Sequence, residues 1–156
     1  MADMRFEPAD MEDIKAGWAK WGIPIVTVGR SFLPKDVEGL VMLDQDDKQL
    51  GLVTWKQHSQ WAEIVSLEAF VRGHGYGQKL ISAAEKELRR KGVFNIRIIT
   101  TNDNLQAVKV FQRAGYRLLN IHLNAMDGVR KVKPGLGATG IDDIPLRDMW
   151  ELKKTL

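Results

Sequence analysis

The spacing of apolar residues divides the first 71 positions into one helix and three strands. Helical spacing appears first, at Met11, Ile14, Trp18 and Trp21. It predicts a helix over about 9–21, with Asp10 as a capping option. Apolar stretches at about 39–44 and 50–57 flank a polar turn and predict a hairpin. Residues 62–71 are apolar at nearly every position, which is typical of a central strand covered on both faces.

The second half of the chain switches repeatedly between helical and strand patterns. A helical stripe recurs at Leu80, Ile81, Ala84 and Leu88. It predicts a helix over 75–92, which the pair Lys91-Gly92 ends. A strand is predicted at 94–101, and a further strand at 116–125. The tail after 125 is loop-rich, with a last strand near 147–153.

A short helix is predicted between these two strands. Asn102, Asp103 and Asn104 are its possible caps, and Gly115 closes it. The unit 62–101 is then a right-handed crossover between parallel strands, added to antiparallel strands at the start of the chain. We therefore expect a mixed α/β or α+β sheet in one domain over residues 1–156.

Composition and charge narrow the class of protein. The chain is 44% hydrophobic and 28% charged, as expected for an ordinary globular protein, and no apolar run reaches the roughly 18 residues of a membrane span. The N-terminus has no apolar segment behind a basic start, so we expect no signal peptide and a cytoplasmic location. Because the chain has no cysteine, thiolate metal sites and cysteine nucleophiles are excluded.

The stretch Arg72–Gly77 alternates glycines between a predicted central strand and a helix N-terminus. Glycines allow unusual φ angles, and the first helical N–H groups are unpaired and partly positive, so several amides can surround one anion. Phosphate suits such a site, and a net charge of +3 is compatible with it. The alternative is a plain glycine-rich turn. A P-loop needs Gly-Lys-Ser/Thr where this chain has Gly77-Gln78-Lys79-Leu80, and a dinucleotide motif needs G-x-G-x-x-G where the spacing here is G-x-G-x-G.

A third pattern fits this loop. Arg72-Gly73-His74-Gly75-Tyr76-Gly77 resembles the R/Q-x-x-G-x-G/A motif of the GNAT superfamily of N-acetyltransferases. One crossover downstream, residues 104–116 (NLQAVKVFQRAGY) resemble the family's N-x-x-A-x-x-x-Y-x-x-x-G-F/Y helix. The similarity covers about 62–118. It implies a GNAT-like central mixed sheet flanked by helices, in which the strands at 62–71 and 94–101, the family's fourth and fifth, splay apart.

The resemblance also implies acetyl-CoA as co-substrate, with no metal. In the family, loop amides hold the pyrophosphate, and the pantetheine arm pairs with the backbone of the preceding strand. The positions implied for the cofactor are Leu67, Ala69, Val71, Arg72, Gly73, His74, Gly75, Tyr76, Gly77, Gln78, Asn104, Ala107 and Phe111. The three histidines, at 58, 74 and 122, have no metal-ligand spacing.

Transfer to an amine needs a base, because only the free amine has a lone pair. Family members often use a glutamate of the fourth strand, and Glu68 and Glu63 are the candidates here. Glu63 stands in AEIV, which resembles the histone-acetylating branch. Since the two are five positions apart, we expect them to face opposite sides of the strand. Either could instead form an ion pair at the rim, and His122 is a third possible base or a structural histidine.

The chain departs from the family pattern at Phe111, where the family commonly has a tyrosine acid. Phenylalanine cannot donate a proton, so the thiolate would leave unassisted or take a proton from elsewhere. The prediction is an acetyl-CoA-dependent N-acetyltransferase acting by direct transfer in a ternary complex. The alternative is a catalytically weak CoA-binding sensor or regulatory module.

The amine acceptor, a small molecule or a peptide, is not readable from the sequence. Trp18 and Trp21 could line its pocket or lie in the core. The tail could read the acceptor through Arg130, Lys133, Asp142, Asp143 and Asp148, although a solvated loop is the simpler interpretation. We expect neither nucleic acid nor a membrane as partner, and the resemblance is compatible with a homodimer.

Overall fold

The computed structural model describes residues 4–156 and is organised around one large sheet. The strands are β1 (Arg5–Pro8), β2 (Ile25–Thr27), β3 (Arg30–Phe32), β4 (Glu38–Leu43), β5 (Gln49–Gln57), β6 (Trp61–Ala69), β7 (Asn95–Thr101), β8 (Arg117–His122) and β9 (Met149–Thr155). The helices are α1 (Met11–Trp18), α2 (Tyr76–Arg90), α3 (Leu105–Arg113) and α4 (Ala125–Val132). Seven strands form the main sheet in the order β1-β4-β5-β6-β7-β9-β8, and β2 pairs with β3 separately.

The predicted elements are present, with shorter ends in several places. Asp10 caps α1 in a capping box with Asp13, but α1 ends at Trp18 because the chain then turns back, and the N–H of Gly22 reaches the Trp18 carbonyl at 3.1 Å. Asn104 is the cap of α3. The prediction of a strand to residue 125 was wrong, because Asn124, at φ +60°, starts α4 inside the supposed loop-rich tail.

Helices cover both faces of the sheet. On one face, α2 buries Leu80, Ile81 and Leu88 against the strands. On the other face, α1 buries Ile14 and Trp18. Removing one such leucine side chain leaves a cavity and typically costs about 2–5 kcal/mol. These two cores hold β5 and β6 rigidly at the centre of the sheet.

A fork opens in the middle of this sheet. β6 and β7 pair in parallel only from Trp61–Asn95 to Ile64–Ile98. Beyond that point β7 continues beside β9 as far as Thr101, whereas β6 stays with β5. A bulge marks the departure, because Thr54 faces Ser66 and Trp55 faces Ile64, which leaves Val65 as an extra residue in β6. The predicted splay between these two strands is therefore present.

Candidate active site

The fork leaves one edge of β6 open. Between Val65 and Ala69, no strand of residues 4–156 pairs with β6 on this side. Phe70 donates its N–H to the Leu50 carbonyl at 2.9 Å, and alternate residues of an antiparallel strand point their backbone groups the same way. The backbone groups of Leu67 and Ala69 therefore point into the fork, as expected for a strand-like ligand that pairs with β6.

The glycine loop lies where this open edge ends. Gly73 and Gly75 have φ angles of +82° and +70°, a region that glycine adopts without the steric cost of a side chain. Lys79 is the first residue of α2 whose N–H meets a backbone carbonyl, that of Gly75 at 3.3 Å. The N–H groups of Tyr76 and the next two residues therefore have no backbone partner in the described part of the chain. These unpaired amides lie at the positive end of a 15-residue helix, a geometry that is suited to an anion.

The side chains of the loop contribute less than its amides. Arg72 and His74 are exposed, and His74 stacks on Tyr76 with ring centroids 5.2 Å apart. Gln78 is occupied elsewhere, since its Nε2 donates to the Val110 carbonyl at 2.8 Å and ties α2 to α3. Val71 packs against the core. The structure thus supports backbone recognition of an anion here.

Helix α3 forms the second wall of the fork. Asn104 accepts from the N–H of Ala107 at 3.4 Å and donates to the Thr100 hydroxyl at 3.2 Å. Asn104, Ala107 and Phe111 all line one cavity of about 400 Å³. That volume lies within the range of small-molecule sites. The helix positions predicted to contact the cofactor therefore face the fork.

No tyrosine replaces the missing hydroxyl at Phe111. Its ring is buried and packs edge-on against Tyr116, with centroids 5.6 Å apart. The Tyr116 hydroxyl donates to Glu85 at 2.8 Å, and burial followed by the Glu85 carboxylate raises the pKa of this phenol. Tyr76 is the first residue of α2, stacks on His74 and is not among the described residues that line the cavity. Because these are the only two tyrosines of the chain, no phenol is placed to protonate a leaving thiolate.

The two strand glutamates lie on the same face of the sheet, so the prediction of opposite faces was wrong. The bulge at Val65 adds one residue between the two glutamates, so both side chains point to the same side of the sheet. Glu63 forms an ion pair with Arg30 of β3 at 2.6 Å, and Glu68 forms one with Lys20 at 2.7 Å. Both partners lie on the side of α1 and β2–β3.

The environments of these two carboxylates differ. Glu63 is fully buried in the closed part of the sheet. Burial raises its pKa, and the nearby Arg30 guanidinium opposes this only partly. The Glu68 side chain is 13% exposed and lies in the open part of β6, and its partner Lys20 lines the cavity. Of the two, Glu68 is therefore the one beside the fork.

His122 lies away from the cavity lining. Its Nε2 is 2.8 Å from Glu151, which also approaches Arg97 at 3.6 Å. This cluster packs beside the closed end of the fork, where Arg97 stacks over the Trp61 ring at 5.2 Å. The geometry therefore gives His122 a carboxylate partner that, like His122 itself, is not among the described residues lining the cavity.

The two tryptophans have different places. Trp18 is completely buried, and its Nε1 donates to the Ser66 hydroxyl at 2.9 Å, so it belongs to the core and is not among the residues that line the cavity. Trp21 lines the cavity, with Lys20 Nζ 4.7 Å from its ring centroid. Trp18 thus anchors β6 beside the fork, and Trp21 forms part of the mouth.

The tail also forms part of the site, contrary to the solvated-loop interpretation. Met126 and Val129 of α4 pack with Leu146 and Met149, and all four line the cavity. Arg130 holds this segment through the carbonyls of Gly137 and Leu146, at 3.0 and 2.8 Å, and Asp148 accepts from the N–H of Asn124 at 2.8 Å. Asp142 and Asp143 are exposed.

Two residues that the sequence suggested only as helix caps fasten the tail. Asn102 Oδ1 accepts from the N–H groups of Arg147 and Asp148, at 3.0 and 3.1 Å. Asp103 is buried, and its Oδ2 accepts from the N–H of Ile141 at 2.8 Å. The cap motif therefore joins the wall of the fork to the tail, which no local pattern could reveal because the partners are about 40 residues away.

The described part of the chain offers neither a metal cluster nor a helix that could span a membrane. Within residues 4–156, no group of three or more histidine, aspartate or glutamate side chains could hold a metal ion. Over the same residues, no helix combines the length and the apolar character needed to cross a membrane.

Comparisons with known proteins agree with this geometry. Residues 6–116 match the family model described as Acetyltransferase (GNAT) family. The uncharacterized protein YxbD of Bacillus subtilis (strain 168) is 34% identical over 137 residues, which cover 87% of this chain and 86% of the relative.

Solved structures show the same fold. The IAA acetyltransferase from Bacillus cereus ATCC 14579 has a TM-score of 0.80 at 18% identity, over 99% of this chain and 100% of that one. A GNAT family acetyltransferase from Elizabethkingia anophelis, with acetyl-CoA bound, has a TM-score of 0.72 at 14% identity, over 98% of each chain. These matches confirm the predicted fold, and with the family match over residues 6–116 the chain belongs to the GNAT family of acetyltransferases.

Proposed function

We propose that the protein transfers the acetyl group of acetyl-CoA to a primary amine by direct transfer in a ternary complex. The observation that supports this proposal is that three features of the site adjoin one another. An anion site at the start of α2 leads to the open edge of β6, and the fork beside this edge opens into a cavity of about 400 Å³. The E. anophelis relative of the same fold binds acetyl-CoA, which supports this assignment.

The residues of the loop, β6 and α3 fit both the pyrophosphate and the pantetheine arm of acetyl-CoA. The amides of residues 76–78 would hold the pyrophosphate, because they are unpaired and lie at a helix N-terminus. Leu67 and Ala69 would pair through their backbones with the amides of the pantetheine arm. Asn104 and Ala107 would contact the arm from α3. The thioester supplies the activated acetyl group.

Glu68 is the proposed base. It is the strand glutamate in the open part of β6, and its partner Lys20 lines the cavity. It would take one proton from the acceptor ammonium, directly or through water. The free amine then forms the new C–N bond as the C–S bond breaks and CoA leaves as its thiolate. The nitrogen releases a second proton to become the amide, and this proton goes through water to the thiolate. The absence of cysteine excludes an acyl-cysteine intermediate.

Departure of the thiolate is the step for which the site offers least help. Phe111 has no hydroxyl, and that of Tyr116 is bound to Glu85. A thiol pKa of about 8.5 permits unassisted departure near neutral pH. The same observation favours the second candidate, a CoA-binding sensor or regulatory module with weak turnover.

One experiment tests the proposal and separates the two candidates. The protein is incubated with acetyl-CoA and a panel of primary amines, and free thiol is followed with a chromogenic disulfide, alongside CoA binding by calorimetry. Amine-dependent thiol release supports the transferase. Tight CoA binding with no amine-dependent release from any amine class would favour the sensor, and absence of CoA binding would refute both.

A further inference from the structure

The acceptor half of the cavity is mostly apolar. It is lined by Ile25 and Val26 of β2, Met126 and Val129 of α4, and Leu136 of the tail. Burial of apolar surface therefore supplies most of the affinity for an acceptor. The few charged side chains determine which charged groups the acceptor needs in addition.

Among residues 4–156, three charged side chains line this cavity, and two of them are already paired. Lys20 forms its ion pair with Glu68 at 2.7 Å. Asp103 accepts from the N–H of Ile141 at 2.8 Å, and its other oxygen is buried. The third is Lys133, which follows the last residue of α4.

Two hydrogen bonds fix the position of Lys133. Its Nζ donates to the carbonyls of Trp21 and Gly22, at 3.1 and 3.2 Å, so its ammonium is held at the cavity wall. It makes no ion pair with a carboxylate of residues 4–156, and it is half-buried. An ammonium has three N–H donors, and these two bonds leave one. Burial lowers the pKa of Lys133, which an anion at the remaining donor would oppose.

We propose that the acceptor is a small primary amine that also carries a carboxylate and an apolar body, such as an amino acid with a large apolar side chain. Lys133 would bind the carboxylate with its free N–H, and Ile25, Val26 and Met126 would contact the apolar body. This inference rests on the proposed function. It excludes as preferred acceptors a peptide N-terminus, whose neighbouring group is a neutral amide, and a polyamine, whose additional positive charge Lys133 would repel.

The test compares acceptors that differ only at the carboxylate. Leucine, leucinamide and isoamylamine form one series, and phenylalanine, phenylalaninamide and phenethylamine form the other. The amides lose their ammonium proton more easily than the amino acids, so without recognition of the anion they should be the better acceptors. We expect each acid to exceed its amide in kcat/KM by roughly tenfold or more, the usual worth of a partly buried charged hydrogen bond. Equal or better use of the amides by the parent protein would overturn the inference.

Lys133→Met assigns the effect to one side chain. It should lower kcat/KM for the acids by roughly tenfold or more, mainly through KM, and leave the amides within about twofold. Lys131→Met is the matched control, because Lys131 is an exposed lysine in the last turn of α4, two residues before Lys133. The melting temperature and its shift with CoA verify that each variant is folded. Equal losses for acids and amides in folded Lys133→Met would show a merely structural role and overturn the assignment.

A binding measurement keeps this test separate from the proposed function. Leucine and leucinamide are titrated by calorimetry into the protein saturated with CoA. If no acceptor releases thiol but leucine binds more tightly than leucinamide, the transferase proposal fails and the recognition of the carboxylate stands. If both are acetylated equally, the transferase stands and the inference fails. Binding of neither, without turnover, overturns both.

Discussion

The glycine loop gives the sharpest prediction, through Gly75→Asp. Gly75 has a φ of +70°, and a Cβ there would meet no heavy atom within 4 Å. The cost in the free protein is thus backbone strain of about 1–2 kcal/mol. A carboxylate at the N-terminus of α2 interacts favourably with the helix dipole and returns about 0.3–1 kcal/mol. The free variant should therefore lose only about 1 kcal/mol of unfolding free energy, or roughly 2–4 °C in melting temperature.

The bound state should change much more. At a CoA concentration about 100-fold above its Kd, binding stabilises the parent by roughly 2.7 kcal/mol, which corresponds to about 5–11 °C for a chain of this size. In Gly75→Asp the added carboxylate lies beside the amides of α2 and repels the pyrophosphate. The CoA-induced shift should fall to about 1 °C or less at the same concentration.

Gly92→Asp is the matched control, measured by scanning calorimetry with and without CoA. Gly92 has a φ of +83° and follows the C-terminus of the same helix, and a Cβ at this position would also meet no heavy atom within 4 Å. Its carboxylate opposes the dipole, so the free variant should be less stable than Gly75→Asp, yet it should keep the full CoA shift. A full shift in Gly75→Asp, repeated in Gly77→Asp, would show that the loop does not hold the pyrophosphate.

Three further predictions concern the chemistry of the fork. Phe111→Tyr places a hydroxyl on the cavity wall, so turnover at matched CoA occupancy should be equal or higher, and a tenfold loss in a folded variant would contradict this placement. Glu68→Gln should lower turnover by about 10²-fold with CoA affinity unchanged and partial recovery at high pH, whereas Glu63→Gln should be mild; the reverse result would make Glu63 the base. Burial raises the pKa of Glu63 above its ordinary 4.5, so the folded protein binds this proton more tightly than the unfolded chain does. Its contribution to stability is then greatest below pH 4.5 and falls as pH rises through the raised pKa. As pH rises from 4.5 through this raised pKa, the parent should therefore lose unfolding free energy relative to Glu63→Gln. A difference between the two proteins that does not change with pH, measured by urea titration, would show that the pKa of Glu63 is not raised.

Local sequence was enough to predict the features that depend on neighbouring residues. Gly73 and Gly75 adopt positive φ angles in the loop, and the helix that follows exposes its first amides, because both properties are local. The apolar run in β6 and the amphipathic stripe of α2 predicted the crossover for the same reason. The order and spacing of the loop and the α3 motif then indicated the family.

The side chains that meet in the cavity were set by tertiary packing. The bulge at Val65, set by pairing with β5, put Glu63 and Glu68 on one face, although strand alternation alone predicts opposite faces. Trp18 went to the core because Ser66 offered its indole a buried partner. Lys133 reached the mouth of the cavity through the carbonyls of Trp21 and Gly22, more than 110 positions earlier in the chain. Such contacts depend on how distant segments of the chain pack, and the local sequence around a residue does not predict which distant residue it will contact.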